Sequence, residues 1–168
     1  GNGVTSIGSS AFEGCTGLTS ITIGNGVTSI GTQAFCGCSS LTSINVDENN
    51  KNYSSIDGVL FNKEKTELIC CPAVKFGDYI VPDSVTSIGD CAFSDCKSLT
   101  SITIPDSVTS IGKEVFNYYN SIEIMVVGDG LTSIDSIPFR YFHNLKSVTI
   151  GNGVTSIGSS AFEGCTGL

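Results

Sequence analysis

The chain has 168 residues but only one histidine, His143, and eight basic side chains, and charged residues make up just 14% of it. Catalysis has little to work with. His143 follows Arg140, Tyr141 and Phe142, a setting that suits a packing or surface residue. There is no G-x-S-x-G elbow, the run G-N-G-V-T-S-I-G has the wrong spacing for a dinucleotide fingerprint, and Gly112-Lys113 is followed by Glu114 rather than a phosphate-binding loop. No C-x-x-C pair is present to anchor zinc. Asp and Glu fall in turns instead of converging on a cleft, so no enzyme, cofactor or metal site is expected. Sixteen acidic groups give a net charge of −8, which repels phosphate backbones and anionic headgroups and argues against nucleic acid as a partner. No apolar run reaches the roughly 18 residues that span a bilayer, and no charged-then-apolar leader opens the chain. Membrane insertion is therefore not expected within this segment, and any export signal or anchor would lie outside it.

What the chain does have is a period. The opening 23 residues, GNGVTSIGSSAFEGCTGLTSITI, return in varied form at Gly24, Pro82, Pro105, Gly128 and Gly151. Such a unit cannot bury its apolar face alone, so successive units must stack into a solenoid. The intervals run 23, 23, 35, 23, 23 and 23, and residues 1–18 are identical to residues 151–168. Neither end changes composition to supply a polar cap, so residues 1–168 read as one array, a piece of a longer one.

Within a unit the fourth and seventh positions are apolar, as in Val4 and Ile7 or Val85 and Ile88. The twelfth is always phenylalanine (Phe12, Phe35, Phe93, Phe116, Phe139, Phe162), which predicts one buried aromatic spine. The unit closes on Leu18-x-x-Ile21-x-Ile23, the spacing of a leucine-rich repeat in which alternate strand residues point inward. The expected fold is a right-handed leucine-rich repeat solenoid of 23-residue repeats. It has short parallel strands on one face, short helical or 3₁₀ turns opposite, and glycines at the first, third and eighth positions supplying positive φ. Residues 47–81 form a longer variant repeat, in which the apolar runs 58–61 and 67–72, joined by a polar turn, predict an inserted β-hairpin jutting from the stack.

The pattern G-x-x-V-T-S-I-G-x-x-A-F-x-x-C-x-x-L-T-S-I-x-[IV], interrupted by N-Y-S-S-I-D-G-V-L-F-N, resembles the BspA-like leucine-rich repeat family, also called the Treponema pallidum type. The resemblance covers essentially the whole chain. It departs at Tyr119 and Phe142 in place of Cys, Pro138 in place of Ala and Asp135 in place of Gly. It implies a surface or secreted protein of host-associated microbes and a role in adhesion to host matrix proteins, cells or glycans. It fixes no ligand contacts.

Binding is expected on the strand face, whose outward residues at the twentieth and twenty-second positions are Ser20 and Thr22, Ser43 and Asn45, Ser101 and Thr103, and Ser147 and Thr149. One unit breaks this track of short hydroxyls with Glu123, Ile124 and Val126, next to Lys146, and with Tyr118 and Tyr119 nearby to serve packing. Cys15, Cys38, Cys96 and Cys165 share the fifteenth position and read as small buried core groups. Cys36, Cys70, Cys71 and Cys91 fall outside that ladder and are weak metal or redox signals. Asp47-Glu48-Asn49-Asn50 offers oxygen ligands for calcium but suits a solvated loop better, and Asn52-Tyr53-Ser54 matches a glycosylation sequon. The leading expectation is a non-enzymatic adhesion module contacting a protein or glycan. The alternatives are a scaffold for end-to-end self-association or bacterial protein contacts, and a repeat region that positions a catalytic domain absent from this chain.

Overall fold

The computed structural model describes residues 3–116, 121–135 and 139–168. Its chain winds as a solenoid with two strand ladders. The first lies at the sixth and seventh positions: β1 (Ser6–Ile7), β3 (Ser29–Ile30), β9 (Ser87–Ile88), β11 (Ser110–Ile111), β13 (Ser133–Ile134) and β15 (Ser156–Ile157). The second uses the unit-closing segment: β2 (Ser20–Ile23), β4 (Ser43–Val46), β8 (Phe76–Ile80), β10 (Ser98–Ile104), β12 (Ile124–Val127) and β14 (Ser147–Ile150). Strands in consecutive 23-residue repeats pair parallel and in register, as in Ser20 with Ser43 and Ile102 with Met125, except that β11 and β13 belong to separate sheets.

The register follows from the sequence period. Leu41, Leu99 and Leu145, then Ile44, Ile102 and Met125, then Ile23, Ile104 and Val127, are all buried at equivalent positions. Each such side chain contributes about 1.5–3 kcal/mol by leaving water. Threonines fasten neighbouring coils: Thr28, Thr109 and Thr155 each donate a hydroxyl hydrogen bond to the carbonyl of Thr5, Thr86 and Thr132, one period earlier.

The segment opposite the second ladder is a succession of i→i+3 turns, such as Ala11 N–H to Gly8 O and Glu13 N–H to Ser10 O, where the sequence predicts a short helical or 3₁₀ turn. Left-handed residues interrupt it. The tenth position has positive φ in Ser10, Gln33, Cys91, Glu114 and Ser160, and the fourteenth in Gly14, Gly37, Asp95, Tyr141 and Gly164. Among the described residues, the glycines expected to supply positive φ at the first, third and eighth positions do not. A Cβ on Gly31 would stand 2.3 Å from Ser9 N, and one on Gly112 would stand 2.6 Å from Asp90 N, so these positions are small because adjacent coils nearly touch.

The aromatic spine is real but divided. Phe12 stacks on Phe35 at 5.6 Å, and Phe93, Phe116, Phe139 and Phe162 form a second column at 5.4, 6.4 and 6.1 Å. Between them the variant repeat has no phenylalanine at the spine position. The core accordingly falls into two clusters, one from Ile7 to Cys70 and one from Val59 to Cys165.

The insertion does not jut out. Strands β5 (Tyr53–Ile56), β6 (Val59–Asn62) and β7 (Glu67–Cys70) form an antiparallel meander, and β7 pairs parallel with β9, placing Glu67-Leu68 opposite Ser87-Ile88. Val59, Leu60 and Phe61 are all fully buried because β6 runs between the two clusters and covers both. Asp57 and Gly58 turn the β5–β6 hairpin with positive φ at both residues, as a type I′ turn requires. Buried Asn50 ties the insertion down. Its amide donates to Gly24 O and Val27 O at 2.8 and 3.0 Å, and its Oδ1 accepts from the N–H groups of Asn52 and Tyr53.

Candidate binding face

The second ladder is not continuous. β2 and β4 form one sheet, and β8, β10, β12 and β14 another. Where the two would meet, the Asp57-Gly58 turn lies against β4, with Gly58 O accepting from Ile44 N–H at 2.9 Å. On the larger sheet the outward side chains form two rows. One reads Asp78, Ser101, Ile124, Ser147, and the other Ile80, Thr103, Val126, Thr149. On the smaller sheet Ser20 faces Ser43 and Thr22 faces Asn45. The structure thus brings Ser101, Thr103, Ile124, Val126, Ser147 and Thr149 together on one surface and separates them from Ser20, Thr22, Ser43 and Asn45. Glu123 and Lys146 pair at 2.7 Å along its margin. Tyr118 lies outside the described residues, as do the departures at Tyr119 and Pro138.

The most exposed apolar groups sit on β8, which the motif spacing did not reveal. Phe76 is 79% exposed and Ile80 68%, against 49% for Ile124. Thr42, Asp57, Val74, Lys75 and Phe76 line an open groove of about 280 Å³ at the break between the sheets. The groove is braced from below. Tyr79, the inward neighbour, packs edge-on against Phe93 at 5.7 Å, and burial pushes its hydroxyl pKa upward. Lys75 Nζ stands 5.8 Å from the centre of the Tyr79 ring and donates to Asp57 O at 3.5 Å. Asp78 accepts from the Ser101 hydroxyl at 2.7 Å, which holds its carboxylate beside the apolar pair. Counting back from Pro82 recovers the signal: Asp78-Tyr79-Ile80-Val81 occupies the places of Ser-Ile-Thr-Ile.

Cys38 and Cys96 are buried and Cys165 half-buried, as ladder thiols should be, whereas Cys15 is exposed. All eight thiols are free. The described residues hold no group of three or more His, Cys, Asp or Glu placed to bind a metal ion. Asp47, in the loop weighed for calcium, spends Oδ1 on Asn49 N–H, and Asn52 of the sequon is exposed. His143 is exposed and lies 3.5 Å from the Thr166 hydroxyl. No described helix is long and apolar enough to cross a membrane.

A parallel-stranded coil with this inward Leu-Ile-Ile spacing and a shallow outer wall defines a solenoid of leucine-rich repeats. The family model for the BspA type leucine-rich repeat region matches residues 1–75 and 67–168 in 6 copies, and the chain belongs to that family. It is similar to a leucine-rich cell surface protein of Faecalibacterium prausnitzii A2-165 at 35% identity and a TM-score of 0.87, over 100% of this chain and 45% of that one. The fold is shared with the pneumococcal vaccine antigen PcpA, at 23% identity, TM-score 0.80, and 95% and 47% coverage. It is shared too with the T. pallidum leucine-rich repeat protein, at 23% identity, TM-score 0.62, and 98% and 72% coverage. The chain spans less than half the length of the first two proteins. No curated protein matches it.

Proposed function

We propose that this chain is a non-catalytic binding module of a cell-surface or secreted adhesin, and that it grips a protein partner, such as a host matrix protein, through the strand face with Phe76 at the centre. One observation carries the reading: a 79% exposed phenylalanine lines the groove at the break in the strand face, and Ile80, 68% exposed, lies further along the same strand. An aromatic ring held in water at a concave break is a ready anchor, because docking removes it from solvent and fills the notch at once. The rows of Ser and Thr around it supply many weak hydrogen bonds, and repetition of such faces along an array raises avidity. The cell-surface description of the Faecalibacterium protein supports the location.

The test is binding of the purified chain to immobilised fibronectin, fibrinogen and a glycan panel. Saturable binding to a matrix protein, weakened about tenfold or more by Phe76→Ser, is expected. Absence of saturable binding to every surface, binding to glycans alone, or binding indifferent to both Phe76→Ser and Ile80→Ser overturns the reading.

A further inference from the structure

The variant repeat lacks the Ser-Ser-Ala-Phe-Glu-Gly-Cys segment of the Gly1 repeat and crosses that layer as Ile69-Cys70-Cys71-Pro72. Cys71 N–H donates to Ala92 O at 2.7 Å, the bond that Phe12 N–H makes to Ala34 O and Phe93 N–H to Val115 O elsewhere. Past this short crossing, side chains of the Gly24 repeat meet those of the Pro82 repeat directly. Gln33 Nε2 donates to Cys91 Sγ at 3.5 Å, and the Cys36 thiol donates to Ser94 Oγ at 3.6 Å. Cys36, Cys70 and Cys91 line one small recess with Phe35 and Ile69. Cys36 is partly exposed, whereas Cys91 is buried.

We propose that Cys36 and Cys91 form a site of oxidative modification, in which exchange with a low-molecular-weight disulfide joins them as an intrachain disulfide that staples the Gly24 repeat to the Pro82 repeat. The Cys36 thiolate attacks one sulfur of the small disulfide, that S–S bond breaks, and one thiolate leaves with the electron pair. Cys91 then gives up its proton and attacks Cys36 Sγ, expelling the second small thiolate. The two protein thiols lose two protons and two electrons, and the small disulfide is reduced to two thiols.

The site differs from a second thiol pair nearby. Cys71 and Cys96 are both buried and both face Pro72 O, at 3.9 and 3.6 Å, with no solute access, so they stay reduced. The staple lies where it has most to hold. The aromatic column is interrupted there and the core divides, so the bond ties together the repeats on either side of that division.

The experiment treats the full chain with oxidised glutathione at pH 8, blocks free thiols, digests, and maps cross-linked peptides by mass spectrometry alongside thermal unfolding. A Cys36–Cys91 link with a melting rise of roughly 5–10 °C is expected. Cys36→Ser should abolish both, and Cys91→Ser should stop at a glutathione adduct on Cys36. Three results overturn the proposal: an adduct on Cys36 of the unaltered chain that never resolves, a link dominated by another pair such as Cys71–Cys96, and eight thiols that remain unoxidised.

Discussion

The Cys38 thiol donates to the main-chain carbonyl of Phe12, 3.1 Å away and 26 residues earlier in the chain. Cys165 makes the same bond to Phe139 at 3.3 Å, so a fifteenth-position thiol fastens the backbone of the aromatic column to the following coil. Cys15 holds that place in its own repeat but is exposed. Cys38→Ala is expected to cost about 1–2 kcal/mol through lost packing and a weak hydrogen bond, and Cys15→Ala less than about 0.5 kcal/mol. Urea unfolding of the two variants makes the comparison, and equal losses would show that the inter-coil bond contributes nothing.

Burial raises the thiol pKa of Cys38 and Cys70, and burial first and Cys36 second push Cys91 up to about 12. In the unfolded chain these thiols ionise near 9.0. Between those values the unfolded state has lost protons that the folded state keeps, so stability is complete below about pH 9 and declines as pH rises toward 12. The urea midpoint should fall steadily from pH 8.5 to 11, and less steeply in Cys91→Ser. A midpoint flat across that range, or a slope unchanged by the substitution, contradicts the assignment.

Two kinds of glycine predict two sizes of effect. Gly14 has a φ of +69° with open space around it, so Gly14→Ala costs only backbone strain, about 1–2 kcal/mol. Gly31 has no such φ, yet a methyl there would press on the backbone of Ser9, and separating two coils should cost about 3 kcal/mol or more. Gly3, with ordinary φ and no neighbour within 4 Å, serves as the control that should barely move. Thermal midpoints should be lowest for Gly31→Ala, intermediate for Gly14→Ala and highest for Gly3→Ala.

These contrasts also mark how far the sequence could be read. The inward rank of Ile21, Ile44 and Ile102 was legible because a strict 23-residue period leaves one register that buries it. The role of Gly31 was not, since turn glycines and contact glycines share one letter and only the inter-coil distance separates them. The burial of Val59-Leu60-Phe61 was legible in principle: an unbroken apolar run with no alternation fits a strand covered on both faces, and Asp57-Gly58 before it is a strong hairpin signal. The hairpin of the 58–61 and 67–72 runs is present as β6 and β7, but it packs into the stack rather than jutting from it. Phe76 was missed for a simpler reason, because the 12 extra residues hide the strand from any count that runs forward from Asp47.

Asn50 offers a sharper test of how the insertion is held. It is fully buried, and its amide makes two donor and two acceptor contacts that join the 47–53 segment to the Gly24 repeat. Asn50→Ala strands two carbonyls and two N–H groups and should cost about 3 kcal/mol. Asn50→Asp keeps the acceptor but sets a carboxylate against the carbonyls of Gly24 and Val27, so it should be at least as damaging at pH 7 and should recover on acidification. A neutral Asn50→Asp at pH 7 would mean that the loop reaches water.

Leu60 and Phe61 adjoin in β6 and are both fully buried, yet adjacent strand residues leave on opposite faces. Leu60 belongs to the cluster with Leu41 and Ile44, and Phe61 to the one with Val85 and Phe93. In a stack whose coils contact only their neighbours, a cavity should loosen the side it opens into before the other. Leu60→Ala, at about 2–4 kcal/mol, is expected to speed amide exchange first at Ile23 and Ile44, and Phe61→Ala first at Ile88 and Ile102. Exchange that accelerates equally in both halves for both variants would show that the β5–β6–β7 wall makes the two clusters one cooperative unit.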